Sequence, residues 1–136
     1  MITQYLTAAL ASENKSLLFP ASGDNIPTSL GQEDHVSMGS IAARKLNLVL
    51  DNLEYILSVE LIAAMQALEF RKPLRSSEPI EKVREFVREK IPFITEDTVL
   101  AKEIEKAKEM VVSNRLIEIV NDYLSKDEND EKFSIY

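Results

Sequence analysis

The chain has 136 residues and carries 23 acidic and 16 basic side chains, which gives a net charge of −7 at neutral pH. This acidic balance disfavours nonspecific binding to nucleic acid or to an anionic membrane. The sequence contains no cysteine and one histidine, so it predicts no disulfide framework, no thiolate zinc site and no multi-histidine metal site within one chain. The N-terminus lacks the basic start of a signal peptide, and no uncharged run reaches the roughly 18 residues that cross a bilayer. We therefore expect a cytoplasmic protein.

Charge is distributed unevenly along the chain. Residues 1–70 contain 3 basic and 8 acidic side chains, whereas residues 71–136 contain 13 and 15. The first part is too apolar for a free-standing pair of surface helices, and we expect it to be buried against other protein. The second part has the composition of ordinary solvated helices.

Hydrophobic periodicity predicts an all-α fold. A helix rich in alanine and leucine is expected over residues 3–18, and a loop follows over residues 19–31, where two prolines and two glycines interrupt helix formation. Residues 33–71 are predicted to form one long helix with two adjacent apolar stripes, spanning on the order of 55 Å. The stripes consist of Leu46, Val49, Leu53, Ile56, Glu60, Ala64 and Ala67, and of Leu50, Leu57, Leu61, Met65 and Leu68. Such a helix belongs in a multi-helix bundle assembled between chains, where Glu60 and Gln66 are polar exceptions.

The second half is predicted to form shorter helices. Ser77 and Pro79 suit a helix start, and a proline at position 92 should end that helix by pushing Ile91 out of the helical region. Its charged residues are interpreted as a solvated face; they are Glu81, Arg84, Glu85, Arg88 and Glu89. A restart is expected near residues 95–97, and a break between two further helices at Ser113 and Asn114. The predicted segments are residues 1–72, residues 73–125 and a mobile acidic tail over residues 126–136.

A polar junction lies where the loop enters the long helix, at Gln-Glu-Asp-His-Val-Ser-Met over residues 32–38. A helix start presents free N–H groups and a partial positive charge, which favour carboxylates such as Glu33 and Asp34. These residues either cap a helix start or form one edge of a catalytic or ligand-binding site. From spacing alone, residues 22–35 are the candidate site, and Glu33 could meet a cationic or N–H-bearing ligand.

Three motifs in this region resemble the C-terminal third of the histidine ammonia-lyase family. They are Ser-Glu-Asn-Lys over residues 12–15, Pro-Ala-Ser-x-Asp-x-Ile-Pro-Thr-Ser over residues 20–29, and the junction at residues 32–38. The motifs occur in the family's order and spacing, and the similarity continues through residues 42–44, 60–66 and 101–107. The resemblance extends over nearly the whole chain, apart from its C-terminal tail. It implies that the chain corresponds to only one part of such an enzyme.

The resemblance implies elimination of ammonia from L-histidine to give trans-urocanate. The resemblance also implies that residues 19–34 form an active-site loop. In that loop Glu33 is implied to orient the substrate imidazole or to assist proton transfer, and Gln32 is a second substrate-binding candidate. His35 is a weaker candidate, equally suited to packing at a helix start. Related phenylalanine lyases carry an amide where Glu33 stands; a carboxylate can accept a hydrogen bond from an imidazole N–H, which a phenyl ring does not offer. The sequence departs from the commonest pattern by placing Leu-Gly before Gln32 where Ala-Asn is usual.

The family's electrophilic ring, 4-methylidene-imidazole-5-one, forms from an internal Ala-Ser-Gly tripeptide. Ala21-Ser22-Gly23 fits superficially, but Leu-Phe-Pro precedes it instead of a glycine-rich approach, and its flanks match the family's Pro-Ala-Ser-x-Asp loop. We interpret the tripeptide as a coincidence in which Gly23 replaces a more usual valine. The ring, the tyrosine base and the arginine that binds the substrate carboxylate are expected upstream, so no cofactor-binding residue is predicted here.

Two hypotheses follow. In the first, the chain is the C-terminal part of a histidine ammonia-lyase, inactive alone, which contributes Glu33 and packs through its long helices, since family members are helical homotetramers. It would then require the upstream portion of the lyase. In the second, the chain is a non-catalytic helical oligomerisation remnant of that family. A partner chain with the upstream motifs would favour the first hypothesis, and an inert chain that is stable alone would favour the second.

Overall fold

A computed structural model of the chain describes residues 2–21, 28–32 and 39–125. These residues form five α-helices, joined in part by a 3-10 turn over Ser29–Gly31. The helices are α1 (Ile2–Ser16), α2 (Gly39–Phe70), α3 (Glu78–Lys90), α4 (Ala101–Val112) and α5 (Arg115–Leu124). The predicted all-α class is confirmed. Within the described ranges, no helix has the length and apolarity needed to span a membrane.

The two N-terminal helices agree with the sequence patterns where they are described. The helix predicted over residues 3–18 corresponds to α1, and the long helix ends at Phe70. The predicted start of the long helix at residue 33 and the predicted mobile tail over residues 126–136 lie outside the described residues. The proposed segment boundaries stay predictions.

The chain divides into two compact units, Met1–Ile56 and Leu57–Tyr136, and α2 contributes to both. In the first unit α1 has no buried residue. The leucines of α2 in this unit are also largely open, since Leu46, Leu50 and Leu53 are 56%, 45% and 42% exposed. The apolar faces of this unit therefore lack cover within the described part of the chain.

The second unit contains the hydrophobic core. Helix α5 packs against both α3 and α4. The buried apolar side chains are Val59, Ile62, Met65, Val83, Val87, Ile91, Ile104, Ala107 and Met110. They come from the second part of α2, from α3 and the residue that follows it, and from α4. In α3 and α4 the buried residues recur every three or four positions, as in an amphipathic helix.

The predicted ends of α3 are confirmed, and the predicted restart is wrong. Ser77 is the residue before α3, Pro79 lies in its first turn, and Ile91 leaves the helical region at φ −118° and ψ 106°. The next helix begins at Ala101 instead of near residues 95–97. The delay has a physical cause, since the backbone N–H and C=O of Ile94 are hydrogen-bonded to a side chain of α2 and not to a helical turn.

The predicted break between α4 and α5 is confirmed. Helix α4 ends at Val112, and α5 begins at Arg115. Asn114 has φ 57°, in the left-handed region that asparagine enters more readily than most residues. This single residue redirects the chain between the two helices.

Candidate functional site

The turn that precedes the candidate site has an unusual backbone. Ser29, Leu30 and Gly31 have φ values of 51°, 59° and 83°, a region that costs free energy for side chains with a Cβ. Gly31 accepts this conformation without strain. Gln32 follows the turn, is exposed, and donates its N–H to the Ser29 carbonyl at 3.2 Å.

The other residues predicted for the site lie outside the described residues. These are Glu33 and His35, together with Ser22 and Gly23 of the ring look-alike. Their roles stay predictions.

A polar contact that the sequence did not predict connects the two helices on either side of the loop. Asn52 of α2 is only 8% exposed. Its Nδ2 donates to Glu13 Oε2 and to Asn14 Oδ1, both at 2.9 Å. Glu13 and Asn14 belong to the Ser-Glu-Asn-Lys motif, so that motif faces α2. The sequence signal for this contact was an asparagine placed between Leu50 and Leu53 in a predominantly apolar helix.

A second contact in the same unit involves the start of the loop. The Lys45 ammonium donates a hydrogen bond to the Phe19 carbonyl and lies 5.8 Å from the centre of the Phe19 ring. The lysine therefore holds both the backbone and the side chain of Phe19, through a hydrogen bond and a cation–π contact.

The second unit contains a network of ion pairs centred on Glu69. Its Oε1 accepts hydrogen bonds from Arg84 Nη1 and Arg88 Nε, both at 3.1 Å, and its Oε2 pairs with Lys72. The Lys72 ammonium, helped by Arg88 and Arg84, lowers the pKa of Glu69 from its ordinary value of 4.5 to about 2. The carboxylate is therefore ionised throughout the neutral range.

Glu81 extends this network. Its Oε1 accepts the Ser76 N–H at 2.9 Å, and its Oε2 accepts Arg84 Nη2 at 2.7 Å. The Ser76 hydrogen bond, followed by Arg84, lowers the pKa of Glu81. The interpretation of these residues as a solvated face is wrong for three of them: Glu81 is buried, and the Arg84 and Arg88 side chains are 19% and 15% exposed. The side of α3 that carries Arg84 and Arg88 therefore contacts Glu69 of α2. Glu85 and Glu89 are exposed, as predicted.

The two polar exceptions of α2 differ. Gln66 forms a paired contact with the backbone of Ile94, in which its Nε2 donates to the carbonyl at 2.6 Å and its Oε1 accepts the N–H at 3.2 Å. Glu60 is exposed. Gln66 therefore has a structural role in holding the segment between α3 and α4.

The described part of the second unit also contains a groove whose cations are paired. An open groove of about 360 Å³ is lined in part by Phe86, Lys90, Met110 and Arg115. Lys90 lies over the Phe86 ring, and Arg115 is paired with Glu118 at 2.7 Å. Over the same described ranges, no cluster of three or more carboxylate, histidine or cysteine side chains could hold a metal ion.

Comparisons with known proteins bear on the identity of the chain. The profile of the family described as "Aromatic amino acid lyase" matches residues 1–89. A histidine ammonia-lyase of Natranaerobius thermophilus is 50% identical over 117 residues, which cover 86% of this chain and 23% of that protein.

Solved structures give the same result. The crystal structure of histidine ammonia-lyase from Trypanosoma cruzi superimposes with a TM-score of 0.87 and 43% identity, over 90% of this chain and 24% of that one. The ergothionase of Treponema denticola gives a TM-score of 0.74 and 32% identity, over 81% of this chain and 22% of that one. The chain spans about a quarter of the length of these relatives. Its sequence and its fold place it in the aromatic amino acid lyase family.

Proposed function

We propose that this chain is the C-terminal part of a histidine ammonia-lyase, an enzyme that eliminates ammonia from L-histidine to give trans-urocanate. The observation that carries the proposal is the 50% identity over 86% of the chain to a histidine ammonia-lyase. The ergothionase, which acts on another compound, is only 32% identical.

Glu33 is the residue that we propose for substrate recognition, with Gln32 beside it. A carboxylate accepts a hydrogen bond from the imidazole N–H of histidine, and it can also accept or return a proton during the elimination. Gln32 is exposed after the Ser29–Gly31 turn, so its amide is available to a ligand. An amide in place of Glu33 would lose the negative charge that favours an imidazole donor.

The electrophilic ring would come from the upstream portion of the lyase and would activate the substrate. No residue of this chain is assigned to the ring. The chain alone is therefore expected to lack activity. The upstream portion of the lyase is its proposed partner, and the assembled enzyme is proposed to be a cytoplasmic homo-oligomer.

The exposed leucines also fit a second candidate, a non-catalytic oligomerisation remnant. Leu46, Leu50 and Leu53 leave an apolar surface on α2, and such surfaces are usually covered by other protein. Both candidates share this packing role, so they differ in whether Glu33 takes part in chemistry.

A urocanate assay distinguishes the two candidates. L-histidine is supplied to the chain alone, to the upstream polypeptide alone and to the two together, and product is followed by its ultraviolet absorbance. A split lyase gives activity only in the mixture, and we expect Glu33→Gln to lower it about 10²-fold or more. Glu85→Gln, at an exposed position of α3 away from the stripes of α2, is the matched control and should leave the rate unchanged. A mixture that assembles but forms no urocanate would support the remnant instead.

A further inference from the structure

The turn before Gln32 contains three consecutive residues with positive φ. Ser29, Leu30 and Gly31 have φ values of 51°, 59° and 83°. A left-handed backbone costs free energy for a residue with a Cβ, and it persists where the surrounding structure holds it. The Leu30 side chain is fully exposed, so packing of that side chain does not offset the cost. The conformation of the turn is therefore not explained by burial of its own leucine.

Two backbone hydrogen bonds set the path of the chain into Gln32. The Gly31 N–H donates to the Thr28 carbonyl at 3.0 Å, and the Gln32 N–H donates to the Ser29 carbonyl at 3.2 Å. Each bond closes a turn of four residues, and Gly31 is an inner residue of the second turn. Since rotation about the φ bond of Gly31 moves the chain that follows it, the direction of the exposed Gln32 side chain depends on this one dihedral angle.

Gly31 is the position in this turn where the residue type matters most. Its φ of 83° lies beyond the left-handed region that other residues enter, which extends from about 50° to about 70°. A Cβ added at Gly31 would meet nothing within 4 Å. A substitution at this position therefore changes the preferred φ without a steric clash, and it rotates the chain that leads into Gln32.

We infer that Gly31 is a positioning residue for the proposed lyase reaction, because its positive φ holds the Gln32 amide in the direction from which it binds the substrate. This inference rests on the proposed function, in which Gln32 is a substrate-binding residue. A side-chain amide both donates and accepts hydrogen bonds, which suits a polar group of an amino acid. Displacing the amide by about 1 Å would weaken such a hydrogen bond and reduce substrate binding.

The test uses the complete, assembled lyase and measures KM and kcat for L-histidine. We expect Gly31→Ala to raise KM about tenfold and to change kcat by less than about threefold, since Gln32 is proposed to bind the substrate. Asparagine enters the left-handed region more readily than alanine. Gly31→Asn should therefore raise KM only about threefold, although its side chain is larger than that of alanine.

Asn114→Ala is the matched control. Asn114 has φ 57° and lies between α4 and α5, so this variant imposes the same kind of backbone strain on the second unit. It should lower the free energy of unfolding without changing KM for L-histidine. A rise in KM from Asn114→Ala as large as that from Gly31→Ala would show a general effect of strain and would overturn the inference.

The decisive measurement is Gly31→Ala in a Gln32→Ala background. Gln32→Ala alone should raise KM about tenfold. If Gly31 acts through Gln32, adding Gly31→Ala should raise KM no further, because residues that act as a unit are not additive. An equal rise in both backgrounds would overturn the inference. A Gly31→Asn variant as impaired as Gly31→Ala would also overturn it, because the effect would then follow the added side chain and not φ.

The remaining outcomes separate the inference from the proposed function. A wild-type assembly that forms no urocanate contradicts the proposed function, and the inference fails with it. If the wild type is active and Gln32→Ala leaves KM unchanged, the role of Gln32 and the inference fail while the lyase activity stands. If Gln32→Ala raises KM and Gly31→Ala does not, only the inference fails. Should Gly31→Ala prevent assembly, Gly31→Asn takes its place, and its rise of about threefold should again be absent in the Gln32→Ala background.

Discussion

Replacing Glu69 by glutamine removes the charge on which three cations converge in the second unit. Arg84, Arg88 and Lys72 all pair with this carboxylate, whose side chain is 9% exposed. Glutamine has nearly the same shape and keeps one oxygen acceptor. The substitution therefore tests the charge, and not the packing.

The expected loss follows from the pKa of Glu69. Lowering a carboxyl pKa from 4.5 to about 2 corresponds to about 3 kcal/mol, because one pKa unit is about 1.4 kcal/mol. Solvent reduces this value, since the Lys72 side chain is 58% exposed. We expect Glu69→Gln to lower the free energy of unfolding by about 1–2 kcal/mol at pH 7.

The pH dependence has a defined sign. The folded chain holds the Glu69 pKa below that of the unfolded chain, so the unfolded chain takes up the proton first as the pH falls. The stabilisation is complete above the unfolded value of 4.5 and is lost as the pH falls toward about 2. The difference between wild type and Glu69→Gln should therefore shrink by about half at pH 3.

Urea unfolding followed by circular dichroism at pH 7 and pH 3 measures both effects. Glu85→Gln is the control, because Glu85 meets Lys82 at 3.9 Å with both side chains more than half exposed. It should change the free energy of unfolding by less than about 0.5 kcal/mol. A Glu69→Gln effect no larger than that of Glu85→Gln, or equal effects at the two pH values, would refute the reasoning.

Three further substitutions test other features of the second unit by the same unfolding measurement. Gln66→Ala removes both hydrogen bonds to the Ile94 backbone and should cost about 1–3 kcal/mol, with faster hydrogen exchange at the Ile94 amide. Ile91→Ala removes a fully buried side chain and should cost about 2–4 kcal/mol. Asn114→Gly relieves a side chain held at φ 57° and should raise the free energy of unfolding by up to about 1 kcal/mol.

Matched controls exist for the last two substitutions. Leu74 is 66% exposed, so Leu74→Ala should cost far less than Ile91→Ala; similar costs would contradict the assigned core. Asn121→Gly lies inside α5 and should destabilise by about 1 kcal/mol. A loss of that size from Asn114→Gly would contradict the left-handed conformation at Asn114. Unchanged exchange at the Ile94 amide would contradict the Gln66 contact.

Helix ends that depend on residues adjacent in the sequence were predicted correctly. Proline fixes its own φ and excludes the residue before it from the helical region, so the end of α3 followed from local chemistry. The start of α4 did not follow, because Gln66 binds Ile94 from 28 residues away. The exposure of Arg84 was also misjudged, since alternating charges are typical of a solvated helix and the sequence gives no indication that Glu69 lies opposite.

Helix α2 shows why periodicity alone does not locate a core. The stripe residues Leu46 and Leu53 share a face as predicted, yet they are exposed, whereas Val59 and Ile62, which belong to neither stripe, are buried. A period of 3.6 residues identifies the side chains that point the same way, but the material that covers them is set by other parts of the protein. The chain spans about a quarter of the length of its relatives, and under the proposed function the rest of the lyase would cover this stripe. If that proposal holds, a substitution on the exposed stripe should affect assembly with the upstream portion more than the stability of this chain.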